Sequence, residues 1–129
     1  MKRAIAFILL AALLGLIIYF VIKTNQFIKQ ARTYGTFGLA MVAMDKTLSL
    51  EAWNKGYDVA SETQSMFPGV NASQGVILDA WGNPIHVEIR RLAKSFSIHI
   101  VSAGIDGKFG TPDDCVRDLE LADEPASKR

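Results

Sequence analysis

The chain has few residues of the types that staple or interrupt a fold. Its 129 residues include a single cysteine, Cys115, and four prolines, the first of which is Pro68. One cysteine cannot form an internal disulfide, which excludes the class of disulfide-stapled secreted domains. Because a domain commonly has ~100–150 residues, the length also excludes a multidomain enzyme. The absence of proline from the first half leaves a long helix there unbroken.

Acidic side chains are missing from the first third of the chain, where the earliest is Asp45. Residues 1–32 carry five basic side chains and no acidic one, whereas residues 33–129 carry 9 basic and 13 acidic side chains. The net charge of +1 therefore combines a basic start with a mildly acidic remainder. Nucleic-acid binding needs a basic stripe, so this balance argues against nucleic acid as a partner.

Charge of either sign is absent from Ala4–Ile22, a run of 19 residues. As a helix this run is about 28 Å long, close to the ~30 Å hydrocarbon thickness of a bilayer. A cleaved signal peptide is the alternative, but its apolar core usually has ~7–15 residues and ends at a small-x-small site. No such site follows Ile22, so we predict an uncleaved transmembrane helix over 4–22. Residues 1–3 would form a short cytoplasmic N-terminus, with the remaining chain on the other side.

After the predicted span the chain is expected to form a stem helix and a small head. Apolar residues recur at spacings of three and four, which is typical of an amphipathic helix. They are Phe27, Ile28, Ala31, Tyr34, Leu39, Val42 and Leu48. We predict a stem helix over 23–48, a globular head over 49–121 with a short helix near Glu51–Met66, and a flexible tail over 122–129.

Two runs of alternating apolar and polar residues predict a β-hairpin with one apolar face. The apolar positions are Ile85, Val87, Ile89, Phe96, Ile98 and Ile100. A four-residue loop would pair Arg90 with Ser95 and place His86 opposite His99 on the polar face. Two facing imidazoles could bind zinc or copper, but structural zinc takes four ligands and only Glu88 lies near in the sequence. A solvated sheet face is therefore the favoured interpretation.

A glycine-rich acidic segment follows the hairpin, from Ser102 to Val116. Its three carboxylates belong to Asp106, Asp113 and Asp114. Closely spaced carboxylates suit a hard cation such as Ca²⁺, and glycine lets the chain fold its carbonyls inward. The spacing does not match an EF-hand. From these residues alone, a calcium site and a solvated acidic turn both remain open.

Two motifs in this half of the chain resemble those of a known family. They are D-A-W-G-N-P at 79–84 and S-A-G-I-D-G-K-F-G-T-P-D-D at 102–114, separated by the strand pair. This order is similar to the C-terminal half of the G-type major pseudopilin of type II secretion systems, whose layout type IV pilin-like proteins share. The resemblance implies an α+β fold in which a long N-terminal helix, its first part transmembrane, packs on a small antiparallel β-sheet. It also implies a C-terminal calcium loop with a structural Ca²⁺. The ligands would be the carboxylates of Asp106, Asp113 and Asp114 and the backbone carbonyls of Ala103 and Thr111.

The resemblance implies a structural subunit or assembly component of a pilus-like machine. Such a subunit crosses the bacterial inner membrane once, with its head in the periplasm or outside. Its partners would be that membrane and other pilin-like subunits, with no nucleic acid and no small-molecule substrate. Precursors of that family usually have a glycine before the cleavage point and a glutamate five residues into the mature helix. This prepilin motif is not matched here, because the first glycine is Gly15 and the first acidic residue is Asp45. A membrane-anchored, non-polymerising calcium-binding adaptor with a pseudopilin-like head is therefore the alternative.

Catalytic motifs are lacking: the chain has no G-x-S-x-G, no H-E-x-x-H and no phosphate-binding glycine loop. Cys115 and a histidine could form a nucleophilic dyad on paper. The neighbouring Asp114 carboxylate, however, disfavours a thiolate. We therefore predict that the protein is not an enzyme.

Overall fold

A computed structural model describes the backbone of residues 2–123 and the side chains of residue 5 and of residues 7–123. The helices are α1 (Lys2–Thr47), α2 (Leu50–Asn54) and α3 (Val59–Met66). The strands are β1 (Ala72–Ser73), β2 (Val76–Ile77), β3 (Ile85–Arg91), β4 (Ser95–Ser102) and β5 (Cys115–Ala122). The long apolar helix packed on a small antiparallel sheet confirms the predicted α+β class.

The predicted transmembrane segment and stem form one uninterrupted helix, α1, of 46 residues. Its side chains from Phe7 to Ile22 are all exposed, and its length and composition would allow it to cross a membrane. Further along, buried side chains recur at helical spacing and face the head. They are Thr33, Phe37, Ala40, Ala43 and Met44.

The buried face of the stem differs from the predicted stripe. Phe27, Ile28, Leu39 and Val42 are exposed, whereas Phe37 is only 1% exposed. A periodic apolar pattern indicates a helix but does not show which face a head of unknown shape will cover. The part of the prediction that concerns the helix is confirmed, and the part that concerns its buried face is largely wrong.

A three-stranded antiparallel sheet, in the order β3-β4-β5, packs against this helix. The strand β4 has the clearest pattern, since its buried and half-buried residues alternate without exception. The sequence analysis did not predict β5 as a strand, because Arg117 interrupts its apolar alternation. In the structure the Arg117 guanidinium lies 5.8 Å from the centre of the Tyr34 ring, where a cation–π contact accommodates the charge.

The hairpin has the predicted faces but not the predicted register. The backbone N–H of Leu92 donates to the carbonyl of Ser95 at 2.8 Å, so the closing pair encloses two residues rather than four. The pairing is therefore shifted by two residues, which preserves the apolar face. His86 lies opposite Val101, and His99 lies opposite Glu88. The predicted facing of the two histidines is wrong.

Two short helices replace the single one predicted near Glu51–Met66. The Ser49 hydroxyl accepts a hydrogen bond from the Ala52 N–H at the start of α2, and the Asp58 carboxylate caps α3 in the same way. Between them Gly56 has φ +86°, a conformation that interrupts a helix and favours glycine. A small β1–β2 hairpin, which was not predicted, follows α3.

The chain remains ordered to the end of the described residues. Ala122 belongs to β5, and the Asp123 carboxylate lies 2.8 Å from the Arg91 guanidinium and accepts from the Leu50 N–H at 3.2 Å. The sheet thus extends one residue beyond the predicted head boundary at 121. The rest of the predicted flexible tail, residues 124–129, lies outside the described residues.

The core test compares two phenylalanines of the head. Phe96 is 0% exposed and lies among side chains from both the helices and the sheet, whereas Phe109 is 56% exposed. Phe96→Ala is expected to lower the free energy of unfolding by about 3–5 kcal/mol, because it leaves a cavity that the surroundings cannot fill. Phe109→Ala should cost less than about 1 kcal/mol. Denaturant unfolding of the purified full chain measures both, and equal costs would mean that the core is wrongly placed.

Candidate functional site

The candidate site is the acidic loop, residues 103–114, which connects β4 to β5. The strands it joins are hydrogen-bonded neighbours, and Ser102 pairs directly with Cys115. The loop therefore leaves and re-enters the sheet at the same point. A closed base of this kind allows a long loop to hold a defined shape.

Two of the predicted carboxylates meet at one hydroxyl. The Thr111 Oγ1 atom lies 2.7 Å from Asp113 Oδ1 and 3.1 Å from Asp114 Oδ1. Its single proton can be donated to only one of them at a time. The other oxygen of Asp114 accepts the Gly110 N–H at 2.7 Å. The last third of the loop is thus folded around the two adjacent aspartates.

The third predicted carboxylate, that of Asp106, is used differently. Its Oδ1 accepts the Lys108 N–H at 2.8 Å, while the Asp106 backbone N–H donates to Asp113 Oδ2 at 3.0 Å. Asp113 therefore contacts the backbone of Asp106 in this arrangement. Within the described part of the chain, no group of three or more His, Cys, Asp or Glu side chains is placed to hold a metal ion. The three carboxylates are not gathered around one position.

The backbone carbonyls of Ala103 and Thr111, the other two predicted ligands, could bind an ion only if their present contacts changed. The Thr111 carbonyl accepts the Asp114 N–H at 3.2 Å, and Ala103 is only 2% exposed. In the geometry described, the five predicted ligands do not converge on one position, and the prediction of a Ca²⁺ site there stays a prediction. Their donor chemistry, oxygen atoms alone, is the kind that Ca²⁺ prefers.

Hydrogen bonding favours the charged form of Asp113. The Thr111 hydroxyl, followed by the Asp106 backbone N–H, lowers the pKa of the Asp113 carboxyl below its usual value. At neutral pH this side chain is therefore an anion with donors around it. Such a carboxylate can either close the loop by hydrogen bonds or contribute charge to a cation.

A buried carboxylate outside the loop holds the loop in place. Asp79, the first residue of D-A-W-G-N-P, is only 2% exposed. Its Oδ1 accepts the N–H groups of Trp81 and Asn83, each at 2.8 Å, and its Oδ2 accepts the Ser102 hydroxyl at 2.5 Å. A carboxylate buried this deeply is stable only when its lone pairs are satisfied, as they are here.

From Asp79 the hydrogen bonds continue to the acidic loop and to α1. The Asn83 amide donates to the Gly104 carbonyl at 2.7 Å, and the Gly104 N–H donates to the Ser102 hydroxyl at 3.2 Å. In the other direction, the Ala80 N–H donates to the Thr33 hydroxyl of α1 at 3.1 Å. We call Thr33, Asp79, Asn83 and Ser102 the support network. The sequence showed D-A-W-G-N-P as a turn, but it gave no signal for the roles of Thr33 and Ser102.

The candidate catalytic residues of the sequence analysis are separated by the fold. Cys115 is 0% exposed, and burial, followed by the charge of Asp79, raises the pKa of its thiol. His99 Nδ1 lies 2.6 Å from Asp118 Oδ1, and the His86 ring lies edge-on to Phe109 with centroids 6.4 Å apart. The geometry therefore favours a neutral, enclosed thiol over a nucleophile.

The loop's backbone can be tested with three glycines that share a positive φ. A Cβ added at Gly104 would lie 2.2 Å from the Asp113 carbonyl oxygen, whereas one at Gly110 would meet nothing within 4 Å. Gly110→Ala should cost about 1–2 kcal/mol from backbone strain alone. Gly104→Ala adds a backbone collision and should cost about 2–5 kcal/mol. Gly107→Ala, whose Cβ would lie 3.4 Å from the Asn83 side chain, should fall between them. Thermal unfolding gives the order, and equal costs would contradict the close packing of Gly104 on Asp113.

Comparison with known proteins adds no family to this description. No family model, curated protein or solved structure matches the chain. The resemblance to G-type pseudopilins therefore stays a prediction, and the function has to be proposed from the molecule's own geometry.

Proposed function

We propose that the protein is a structural subunit or assembly component of a pilus-like machine of the type II secretion or type IV pilus kind. The observation that carries this proposal is the continuity of α1. One helix presents an exposed apolar surface over its first half and supplies the head's core with its second half, through Phe37 and Met44. The head is therefore rigidly joined to the apolar segment.

The exposed apolar surface of α1 needs a partner. Soluble monomers rarely expose an apolar area as extended as that of residues 7–22, so lipid or other apolar helices must cover it. A membrane covers this apolar surface before the subunit is assembled, and the helices of neighbouring subunits cover it in a filament. The proposed location is the bacterial inner membrane, crossed once, with the head in the periplasm or outside. In this role the protein is structural and not catalytic.

A stabilising Ca²⁺ ion in the acidic loop is part of the proposal. Asp113 and Asp114 already lie on either side of Thr111, and the donor set consists of oxygen atoms. To join them, Asp106 would give up its hydrogen bond to the Lys108 N–H. The ion would supply charge compensation for three carboxylates that otherwise repel one another.

One observation favours the second candidate, a membrane-anchored adaptor that does not polymerise. The first glycine, Gly15, lies deep inside the apolar run, and no acidic residue occurs before Asp45. The sequence therefore does not match the cleavage motif or the early glutamate of the pilin-like family that it resembles, and in that family the glutamate takes part in filament packing. The two candidates share an anchor and a head but differ in whether their helices contact one another.

Cysteine cross-linking in native membranes tests the proposed function. Leu13 is exposed in the middle of the apolar segment, and the native Cys115 is fully buried, so it should not react. With a bifunctional thiol cross-linker, Leu13→Cys is expected to form a cross-linked dimer, because the linker can span the axial offset between equivalent positions on neighbouring packed helices. Asn54→Cys, at an exposed position on the head, controls for random collision.

Dimers from Leu13→Cys but not from Asn54→Cys would support the filament subunit. Monomers alone, together with a mature mass that still includes Met1, would contradict it and favour the adaptor. A soluble mature form that begins after Ile22 would contradict both candidates, because the apolar segment would then be a signal peptide.

The Ca²⁺ proposal predicts an ion-dependent melting temperature. The full chain in detergent should melt at a higher temperature with Ca²⁺ than with chelator, by about 2.7 kcal/mol of stabilisation when the free ion is about 100 times the dissociation constant. Mg²⁺ should replace it poorly, because it demands tighter octahedral geometry. Differential scanning calorimetry measures the shift.

Matched substitutions make the calcium test specific. Asp106→Asn and Asp113→Asn should each abolish the Ca²⁺-dependent shift. Asp118→Asn, on an exposed position of β5, should leave it unchanged. A melting temperature that is the same in calcium and in chelator would show that the loop is an acidic turn closed by its own hydrogen bonds.

A further inference from the structure

The head begins close to the end of the uncharged run of α1. Gln26 and Lys29 are half-buried, whereas the other residues of 23–32 are exposed. Both lie on the same face of the helix as the buried Thr33, because residues three, four and seven apart share a face. The head's cover of α1 therefore begins at Gln26. The uncharged run ends at Ile22, which is only about 6 Å away along the helix axis.

A head that begins so near the uncharged run lies at the surface of the membrane that α1 would cross. The polar interface on each side of a bilayer is about 5–7 Å thick, which is much the same distance. Tyr19 and Lys23 suit that interface, because each has an apolar body and a polar end. The Lys23 Nζ atom lies 5.8 Å from the centre of the Tyr19 ring. We call the part of the head nearest to Ile22 its base, and the base meets the lipid headgroups.

Contacts with the helices show which part of the head forms the base. The Arg117 guanidinium, near the start of β5, lies beside the Tyr34 ring of α1. At the other end of β5, the Asp123 carboxylate accepts the Leu50 N–H, and the Asp123 N–H donates to the Lys94 carbonyl in the β3–β4 turn. β5 therefore runs along α1 away from the apolar segment. The acidic loop, which precedes β5, lies at the base, and the β3–β4 turn lies at the far end.

Exposed apolar side chains are present at the base on both the helix and the loop. On α1, Phe27 is 71% exposed and Ile28 is 43% exposed. On the acidic loop, Ile105 is 49% exposed. It follows Gly104, whose carbonyl accepts the Asn83 amide, so the support network holds this part of the loop at the base. The exposed apolar surface of α1 therefore continues past the uncharged run and onto the head.

The charges of the base match a zwitterionic headgroup. Lys23 and Arg32 of α1 and Lys108 of the loop are exposed cations. The three carboxylates of the acidic loop belong to the same end of the head. An anionic lipid would attract the cations but repel the carboxylates. A zwitterionic phospholipid offers a phosphate to the cations and an ammonium group to the carboxylates.

We propose that the base of the head rests on the surface of the membrane that α1 crosses and contacts zwitterionic phospholipids, with Phe27 and Ile105 among the headgroups. Insertion removes apolar surface from water, which favours the contact. The end of α1 is about 37 Å beyond Ile22, so Leu92 in the β3–β4 turn stays in water. The contact fixes the height of the head above the lipid. It rests on the membrane anchor of the proposed function and does not require a filament.

Three variants of the full chain test this contact by the depth of a fluorescent label. Ile105→Cys, Leu13→Cys and Leu92→Cys each introduce a thiol at an exposed position, while the native Cys115 is 0% exposed and stays unlabelled. The labelled proteins are reconstituted in phosphatidylcholine nanodiscs that carry a nitroxide quencher either on the headgroup or deep in the acyl chain. Leu92 is the matched control, because it is 44% exposed and lies at the far end of the head.

Each label should respond to a different nitroxide, because quenching requires close approach. The label at position 105 should lose most emission with the headgroup nitroxide. The label at position 13 should lose most emission with the acyl-chain nitroxide, which shows that α1 is inserted. The label at position 92 should lose little with either. Steady-state fluorescence measures all three.

The unlabelled chain provides a second measurement, because an introduced fluorophore could itself enter the lipid. Phosphatidylcholine with a photoactivatable diazirine in its headgroup should attach to the segments that contain Phe27 and Ile105 but not to the one that contains Leu92. Ile105→Asp should reduce attachment to the loop several-fold, because a charge resists transfer out of water. Leu92→Asp should leave it unchanged. Peptide mass spectrometry measures the attachment.

The possible failures separate this contact from the proposed function. Quenching at position 13, with no more quenching at position 105 than at position 92, would overturn the contact and leave the anchor intact. No acyl-chain quenching at position 13 would overturn both, because α1 would not be inserted. Stronger attachment to anionic phosphatidylglycerol than to phosphatidylcholine would overturn the zwitterionic partner. None of these readouts depends on cross-links between copies, so the contact can hold where the filament subunit fails.

Discussion

The fold depends on one constraint, that the same helix must suit both an apolar environment and a protein core. Over residues 7–22 the side chains of α1 are apolar on every side and exposed. Beyond Thr33 the helix has one buried face, which begins with the hydroxyl that accepts the Ala80 N–H. Because the helix is continuous, the head cannot rotate independently of the apolar segment. A force or packing contact on one half is transmitted directly to the other.

The support network carries that rigidity from the helix to the acidic loop. The Thr33 hydroxyl accepts the Ala80 N–H of the turn that contains Asp79. The Asp79 carboxylate accepts the Ser102 hydroxyl, and the Asn83 amide donates to the Gly104 carbonyl. Each step joins segments that are far apart in sequence. Removing one partner would leave a buried polar group unsatisfied, at a cost of about 1–3 kcal/mol. The first residues of the loop are therefore fixed, and its freedom lies between Ile105 and Thr111, where most side chains are exposed.

The sequence predicts the structure correctly where the spacing of apolar side chains determines it. The hairpin faces follow from the two-residue alternation, and the long helix follows from its composition and lack of proline. The register was missed because it depends on a backbone contact, the Leu92 N–H to the Ser95 carbonyl, that no side-chain pattern reveals. β5 was missed because Arg117 interrupts the alternation, and the compensating contact with Tyr34 comes from a distant helix. In the candidate site, the three aspartates were found from composition, but the position of each carboxylate depends on local backbone donors.

The acidic loop reaches a groove of about 610 Å³ beside β3 through one side chain, that of Phe109. Its ring lies beside His86 on β3 and contributes to the groove, while its neighbour Lys108 donates the backbone hydrogen bond that holds Asp106. A cation that recruited Asp106 would break that bond, and the chain at Lys108 and Phe109 would have to adjust. The end of the groove would then change shape with the ion. An ion in the loop would therefore change the surface beside β3 as well as the loop itself.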